Sequence, residues 1–407
     1  LTTTNRNLPV RMTKGLYTGT SFIGDNPNNP IIDIEAGLYH TLALATDGTV
    51  YSVGYNAFGQ LGDNTVTSRT SPVRVLEGLY NGNTFLGDNP SNPIISISSG
   101  LYHSMALAAN GGVYTFGYNF NGQLGDNTST NRYTPVQVLK GTYAGTTYLG
   151  DSISNPMISI SGAYINSVAL GADGRVYTFG DNNSGRLGDG TAIPKYTPVQ
   201  AIKGAYTGTI YLGDNPANPI VAISSGESHT LALAADGMVY GFGLNNNGQL
   251  GDGTTISKVS AVKALRGLYG GTAFLGDSAT NPVVSVTGGQ FHSLAITANG
   301  YVFTMGNNLN GQLGDNTTTI RTTPVQTRGV GLIGNLNVLM NSLAPTLATV
   351  PANRITYTGA TLNAIVNAMT RNTTVSFEYG LTTAYGNTIT IPGFLTGAED
   401  SFRKATI

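Results

Sequence analysis

The sequence contains no cysteine and no tryptophan. Without thiols, disulfides and thiolate metal sites are excluded. Charged residues make up only 10% of the chain, against roughly 25% in typical soluble domains. The net charge is −1 and no basic run stands out. That is a poor match to a nucleic-acid polyanion or to anionic lipid, so neither is expected as a partner. No apolar run approaches the roughly 18 residues that mark a membrane-spanning helix, so no membrane insertion is expected. No stretch of useful length has helical periodicity. The chain starts at Leu1 with no signal-peptide pattern, which reads as a processed or partial chain.

What the chain has is repetition. Gly37-Leu38-Tyr39-His40-Thr41-Leu42-Ala43-Leu44 returns in four further copies at one fixed step, with His40, His103, Asn166, His229 and His292 in register 63 residues apart. The Leu-Gly-Asp triplets at Leu61, Leu124, Leu187, Leu250 and Leu313 keep the same step. A fixed period of this kind signals a solenoid, propeller or array.

Within one copy the pattern is of short strands. In the second copy, Ile94 to Ser98 reads as a first strand and His103 to Ala108 as a second. Asn110-Gly111 joins the second strand to a third, Val113 to Gly117, because Asn-Gly tolerates the positive φ of a tight hairpin. A Gly-rich loop, Asn119 to Asp126, leads to a fourth strand, Thr134 to Val138, with Pro135 near its start as on a sheet edge. Four short antiparallel strands per period make a propeller blade.

The motif Gly-x-x-His-[Ser/Thr]-x-Ala-Leu (Gly100 to Leu107), the Asp/Asn-Gly hairpin, Val-Tyr-x-x-Gly and Asn-x-x-Gly-Gln-Leu-Gly-Asp (Asn119 to Asp126) resemble the repeat of the regulator of chromosome condensation (RCC1) family. The resemblance implies a β-propeller. It also implies three kinds of role: nucleotide exchange on a small GTPase, chromatin binding, or a protein-interaction platform. The expected fold is all-β. Residues 1–327 form an RCC1-like propeller of five 63-residue, four-stranded repeats with an N-terminal orphan strand around Pro9. Residues 328–344 are a linker. Residues 345–407, with alternating runs such as Thr374 to Gly380, resemble a fibronectin type III-like module of bacterial surface proteins and are expected to form a partial Ig-like sandwich. Copy three departs from the family pattern, with Ala163 and Asn166 in place of Gly and His. Tyr51, Tyr114, Tyr177, Tyr240 and Phe303 stand where the family often has Trp.

Every copy also carries an insert before its first strand, with aromatics at Tyr17 and Phe22, Tyr80 and Phe85, Tyr143 and Tyr148, Tyr206 and Tyr211, and Tyr269 and Phe274. These form a candidate interaction crown on one face. The competing reading is that they cap the gaps between blades as local core. The periodic His40, His103, Asn166, His229 and His292 read as structural hydrogen-bonding positions, because Asn can replace a hydrogen bond but not a general base. No unique acid–base pair emerges, so no enzyme activity is expected. No cofactor is expected either. Calcium is the one ion the turns suggest, through oxygens of Asp25-Asn26 and Asp63-Asn64. From the low charge, the Thr/Asn/Gly bias, the near-identical copies and the appended module, the expected function is a non-enzymatic structural or adhesive protein. It would be extracellular or on a prokaryotic cell surface, self-associating or binding other surface proteins. A protein- or glycan-binding platform is the alternative.

Overall fold

The computed structural model describes residues 7–329 apart from Asn83, residues 334–338, and beyond these only the backbone of five strands between 346 and 406. Five consecutive four-stranded antiparallel sheets make up the repeat region, each meandering in chain order. The first comprises β1 (Ile31–Ala36), β2 (His40–Ala45), β3 (Val50–Gly54) and β4 (Arg69–Arg74). The second is β5 (Ile94–Ser99), β6 (His103–Ala108), β7 (Val113–Gly117) and β8 (Arg132–Gln137). The third is β9 (Met157–Gly162), β10 (Asn166–Gly171), β11 (Val176–Gly180) and β12 (Lys195–Gln200). Then come β13 (Ile220–Ser225), β14 (His229–Ala234), β15 (Val239–Gly243) and β16 (Lys258–Lys263), followed by β17 (Val283–Gly288), β18 (His292–Thr297), β19 (Val302–Gly306) and β20 (Arg321–Gln326). Each sheet packs face to face on the next through its first two strands: β2 meets β5, β6 meets β9, β10 meets β13 and β14 meets β17. These are the expected propeller blades, with β1, β5, β9, β13 and β17 innermost.

The core lies between blades. Leu107, Val113 and Val138 of the second blade close on Met157, Tyr177 and Phe179 of the third. Strand β6 is buried along its whole length, because a blade in the middle of the stack is covered on both faces. That is why its sequence, His-Ser-Met-Ala-Leu-Ala, lacks the polar alternation of a half-exposed strand.

Two local expectations are revised. The Asp/Asn-Gly turns have positive φ only at the glycine, +90° at Gly111. Gly111 N–H donates to Ala108 O, and Ala108 N–H to Gly112 O. This is a type I turn closed by a left-handed glycine rather than the two-residue hairpin with both residues at positive φ. The outer strands start two residues earlier than expected, at Arg132 in β8. Pro135 lies where the β7–β8 register slips between Thr115 and Gly117. The missing N–H costs nothing at a bulge on an edge.

At the N-terminus, residues 7–12 form no strand, and Leu8 and Val10 are largely exposed. The orphan strand is therefore not present among the described residues. Its counterparts in the other blades pair with the third strand of their own blade. At the other end, β21 (Thr346–Thr356), β22 (Gly359–Asn367) and β25 (Asp400–Thr406) pair as one sheet, and β23 (Ser376–Tyr379) pairs with β24 (Asn387–Thr390). The side chains and connections that would make a fibronectin-like sandwich of them lie outside the described residues.

Candidate functional site: the loop face of the first two blades

Antiparallel connectivity divides the loops between two faces. The β2–β3 turns and the inserts share one face; the loops leading into β2 and out of β3 share the other.

The insert tyrosines are inside. Tyr17, Tyr80, Tyr143, Tyr206 and Tyr269 are each at most 3% exposed. Each meets the third-strand aromatic of its own blade edge to face, Tyr80 on Tyr114 at 5.3 Å and Tyr143 on Tyr177 at 5.5 Å. Their hydroxyls donate to backbone carbonyls twelve residues on, as Tyr80 does to Asn92. The second aromatics, Phe22, Phe85, Tyr148, Tyr211 and Phe274, are half-buried and close each insert into a small loop through the bridges Thr13–Phe22, Leu76–Phe85, Leu139–Tyr148, Ile202–Tyr211 and Leu265–Phe274.

The histidines join neighbouring blades. His40 Nε2 lies 2.9 Å from Ser104 Oγ, His103 Nε2 3.0 Å from Ser167 Oγ, and His229 Nε2 2.8 Å from Ser293 Oγ. Each serine hydroxyl donates onward to a backbone carbonyl, Ser104 to Gln60 and Ser167 to Gln123. The serine must then accept from the ring, so Nε2 carries the proton. Burial pushes His40 down to about 4 and His103 and His229 down to about 3, so all three are neutral near pH 7. Each ring lies under the glycine three residues before it; a Cβ on Gly100 would stand 2.1 Å from His103 Cε1. Copy three changes both partners together, with Ala163 where the glycine was and Asn166 where the ring was. His292, in the last blade, is half-buried.

The repeated acidic turns are also internally used. Asn119 is fully buried. Its Oδ1 accepts from Leu124 N–H, and its amide donates to Asp126 and to the Thr128 and Thr130 carbonyls. Asp126 pairs with Arg132 at 2.6 Å, as Asp63 does with Arg69. Asp25 accepts the N–H groups of Phe22, Ser21 and Thr20, which hold its carboxyl well below the usual range. Those are the groups the calcium reading drew on. Among the described residues no three His, Asp or Glu side chains gather as a metal-ligand group.

What sequence reasoning missed is an aromatic cluster on the face opposite the inserts. Tyr39 stacks on Tyr102 at 5.6 Å, with 13° between the planes. Phe58 meets Tyr102 at 4.9 Å and Tyr118 at 5.0 Å. Tyr55 touches Tyr39, Phe58 and Tyr102, and Phe120 stacks on Tyr118. Tyr39 is 55% exposed and Phe120 68%. Exposed aromatics gathered in one patch are the composition of a protein-contact surface. The cluster is confined to two blades. Position 39 recurs as Tyr102, then Ile165, Ser228 and Phe291; position 55 recurs as Tyr118, then Asp181, Leu244 and Asn307. Comparing copies for where they differ, rather than where they agree, was the signal that could have found it. In the third blade the same loops carry a buried pair instead, Arg186 to Asp181 at 3.1 Å.

Comparison with known proteins identifies the scaffold. The sequence model of the regulator of chromosome condensation (RCC1) repeat matches residues 47–107, 110–169, 173–233 and 236–296. A second model of that repeat matches residues 31–60, 94–123, 220–249 and 283–312, passing over the copy with Ala163 and Asn166. The ultraviolet-B receptor UVR8 of Arabidopsis thaliana is 28% identical over 55% of this chain and 44% of its own length. The probable E3 ubiquitin-protein ligase HERC4 of Homo sapiens is 29% identical over 56% of this chain and 19% of its own. The chain thus spans less than half the length of these curated relatives. Among solved structures, human WBSCR16 superposes with a TM-score of 0.59 at 21% identity, covering 74% of this chain and 68% of its own. Yeast RCC1 (Prp20), solved bound to Kap60, superposes with a TM-score of 0.56 at 17% identity, covering 92% and 80%.

These relatives overturn the expectation of an extracellular structural or adhesive protein. The proteins that share the repeat are a receptor and ubiquitin ligases. The features read as signs of a fibre have a local cause. The recurring His and Ser positions serve contacts between blades, and Asn, Thr and Gly serve turns such as Asn119 to Thr130.

Proposed function

The chain belongs to the RCC1 repeat family, and on that premise we propose that it is a protein-binding propeller platform whose recognition face is the aromatic loop surface of the first two blades. The observation that carries the proposal is the confinement of Tyr39, Tyr55 and Phe120, which are exposed, and Phe58, Tyr102 and Tyr118, which are half-buried, to one surface cluster. A surface needed only for folding would recur in every blade, as the buried loop asparagines Asn56, Asn119, Asn182, Asn245 and Asn308 do. The loops are held in place before binding by the buried Asn56 and Asn119 networks, so little ordering entropy is lost on docking. The propeller itself is assigned no catalysis; it supplies shape and contact. The relatives support a protein partner in kind without naming it.

The test compares proteins retained from source-cell extract by the wild-type chain and by a Tyr39→Ser/Tyr102→Ser/Phe120→Ser variant, followed by reconstituted binding of whatever is retained. A partner that binds the wild type directly and is lost from a folded variant is the expected result. Equal binding to both would refute this face as the docking site.

A further inference from the structure

We infer, resting on the platform reading, that the aromatic face takes an extended, proline-rich segment of a partner protein in the polyproline II conformation. The rings form a run, Tyr39–Tyr102–Phe58–Tyr118–Phe120, with successive centroids 5.6, 4.9, 5.0 and 6.5 Å apart. Stacked contacts at the two ends and tilted or edge contacts between them leave a ridged surface rather than a flat one. Tyr102 and Tyr118 lie 6.3 Å apart directly, with Phe58 set to one side, so the run spans at most about 18 Å, the length of up to six residues of polyproline II at a rise of about 3.1 Å each. Prolyl rings fit between aromatic ridges, and the segment arrives already extended, with little entropy left to lose.

The polar chemistry agrees. A polyproline II backbone has no internal hydrogen bonds, so its carbonyls need donors. The phenols supply them. Burial raises Tyr102, with Tyr39, Tyr55 and Tyr164 adding to the effect, and burial raises Tyr118; both stay protonated donors well above neutral pH.

Charge separates this occupant from its rivals. In the loops of the first two blades on this face the only charged residues are Asp63 and Asp126. Each is bridged at 2.6 Å, to Arg69 and Arg132 at the start of the outer strand. Nothing there selects a phosphopeptide or an acidic peptide. A basic peptide would have the ring faces alone, without a carboxylate to anchor it. An uncharged, ring-rich, preextended segment uses what is present.

The experiment titrates the full chain with two labelled peptides, decaproline and an Arg-Gly repeat of equal length, by fluorescence anisotropy. Expected are saturable decaproline binding that changes little with added salt, and at least tenfold weakening by Phe120→Ser and by Tyr102→Ser. Phe120 is so exposed that its variant retains the fold. If the Arg-Gly peptide binds through these tyrosines and decaproline does not, the proline assignment falls while the docking face stands. If neither peptide binds but a protein partner is still lost with the tyrosines, the assignment falls again and the platform reading survives. If neither peptides nor partner respond to the substitutions, both readings fall.

Discussion

Acid should unfold this propeller before its carboxylates titrate, because its inter-blade histidines are buried as neutral rings. His40, His103 and His229 are depressed by burial to about 4, 3 and 3, against roughly 6.5 in an unfolded chain. Above about pH 6.5 each ring is neutral in both states and its contribution to stability is fully present. As pH falls below that value the unfolded chain takes up a proton that the folded chain refuses. Stability is then lost until the folded value is reached. Between pH 7 and pH 5 the cost is about 2 kcal/mol per histidine, or about 5–6 kcal/mol for three, from the unfolded value alone. Half-buried His292 is also lowered by burial and acts in the same direction. Depressed aspartates such as Asp25 lose their contribution through an unfolded value near 3.9, so they enter only below about pH 5. The assay is chemical denaturation at half-unit pH steps, with proton uptake on unfolding measured between pH 5 and 6. Uptake rising from about two protons at pH 6 to about three at pH 5 is expected. The double variant Gly100→Ala/His103→Asn, which copies the natural pair Ala163 and Asn166, should remove one of them. Stability that stays flat from pH 7 to 5 would refute the assignment of neutral, inaccessible rings.

Gly100→Ala alone places a methyl 2.1 Å from the His103 ring and 2.2 Å from Ala163 O, and should lower stability by about 1–3 kcal/mol through overpacking. Adding His103→Asn should recover part of that, read as a denaturation midpoint. Asn119→Ala strands the buried Leu124 N–H and should cost about 2–3 kcal/mol, with earlier amide exchange at Leu124 than at Leu61. Tyr143→Phe removes the bond donated to Asn155 O and the one accepted from Ser152 N–H and should cost about 1–3 kcal/mol. Tyr143→Ala also empties a site only 2% exposed and should cost about 3–5 kcal/mol. Equal, negligible effects at Tyr143 would mean the insert tyrosine is displayed rather than packed.

The two halves of the candidate site were unequally legible. Asn119 stood out because its buried counterpart recurs in all five blades, and His40 because it recurs in four; periodicity marks what packing demands. Tyr39, Phe58 and Phe120 did not, because a binding surface departs from the repeat and reads locally as loop variation. The departure at Ala163 and Asn166 was visible as two substitutions. That one fills space vacated by the other required the ring's position under the glycine.

By itself the sequence determined the five blades of the repeat region, the order of strands within each, and the places of the turns between them. Those depend on local φ preference and on a period that repeats without insertion. Only the tertiary structure decided that His40, His103 and His229 each bond a serine 64 residues on, in the neighbouring blade, and that six aromatics from two copies meet on one face. Stacking blades places side by side residues that a full repeat separates along the chain, and no local pattern encodes which of them will touch.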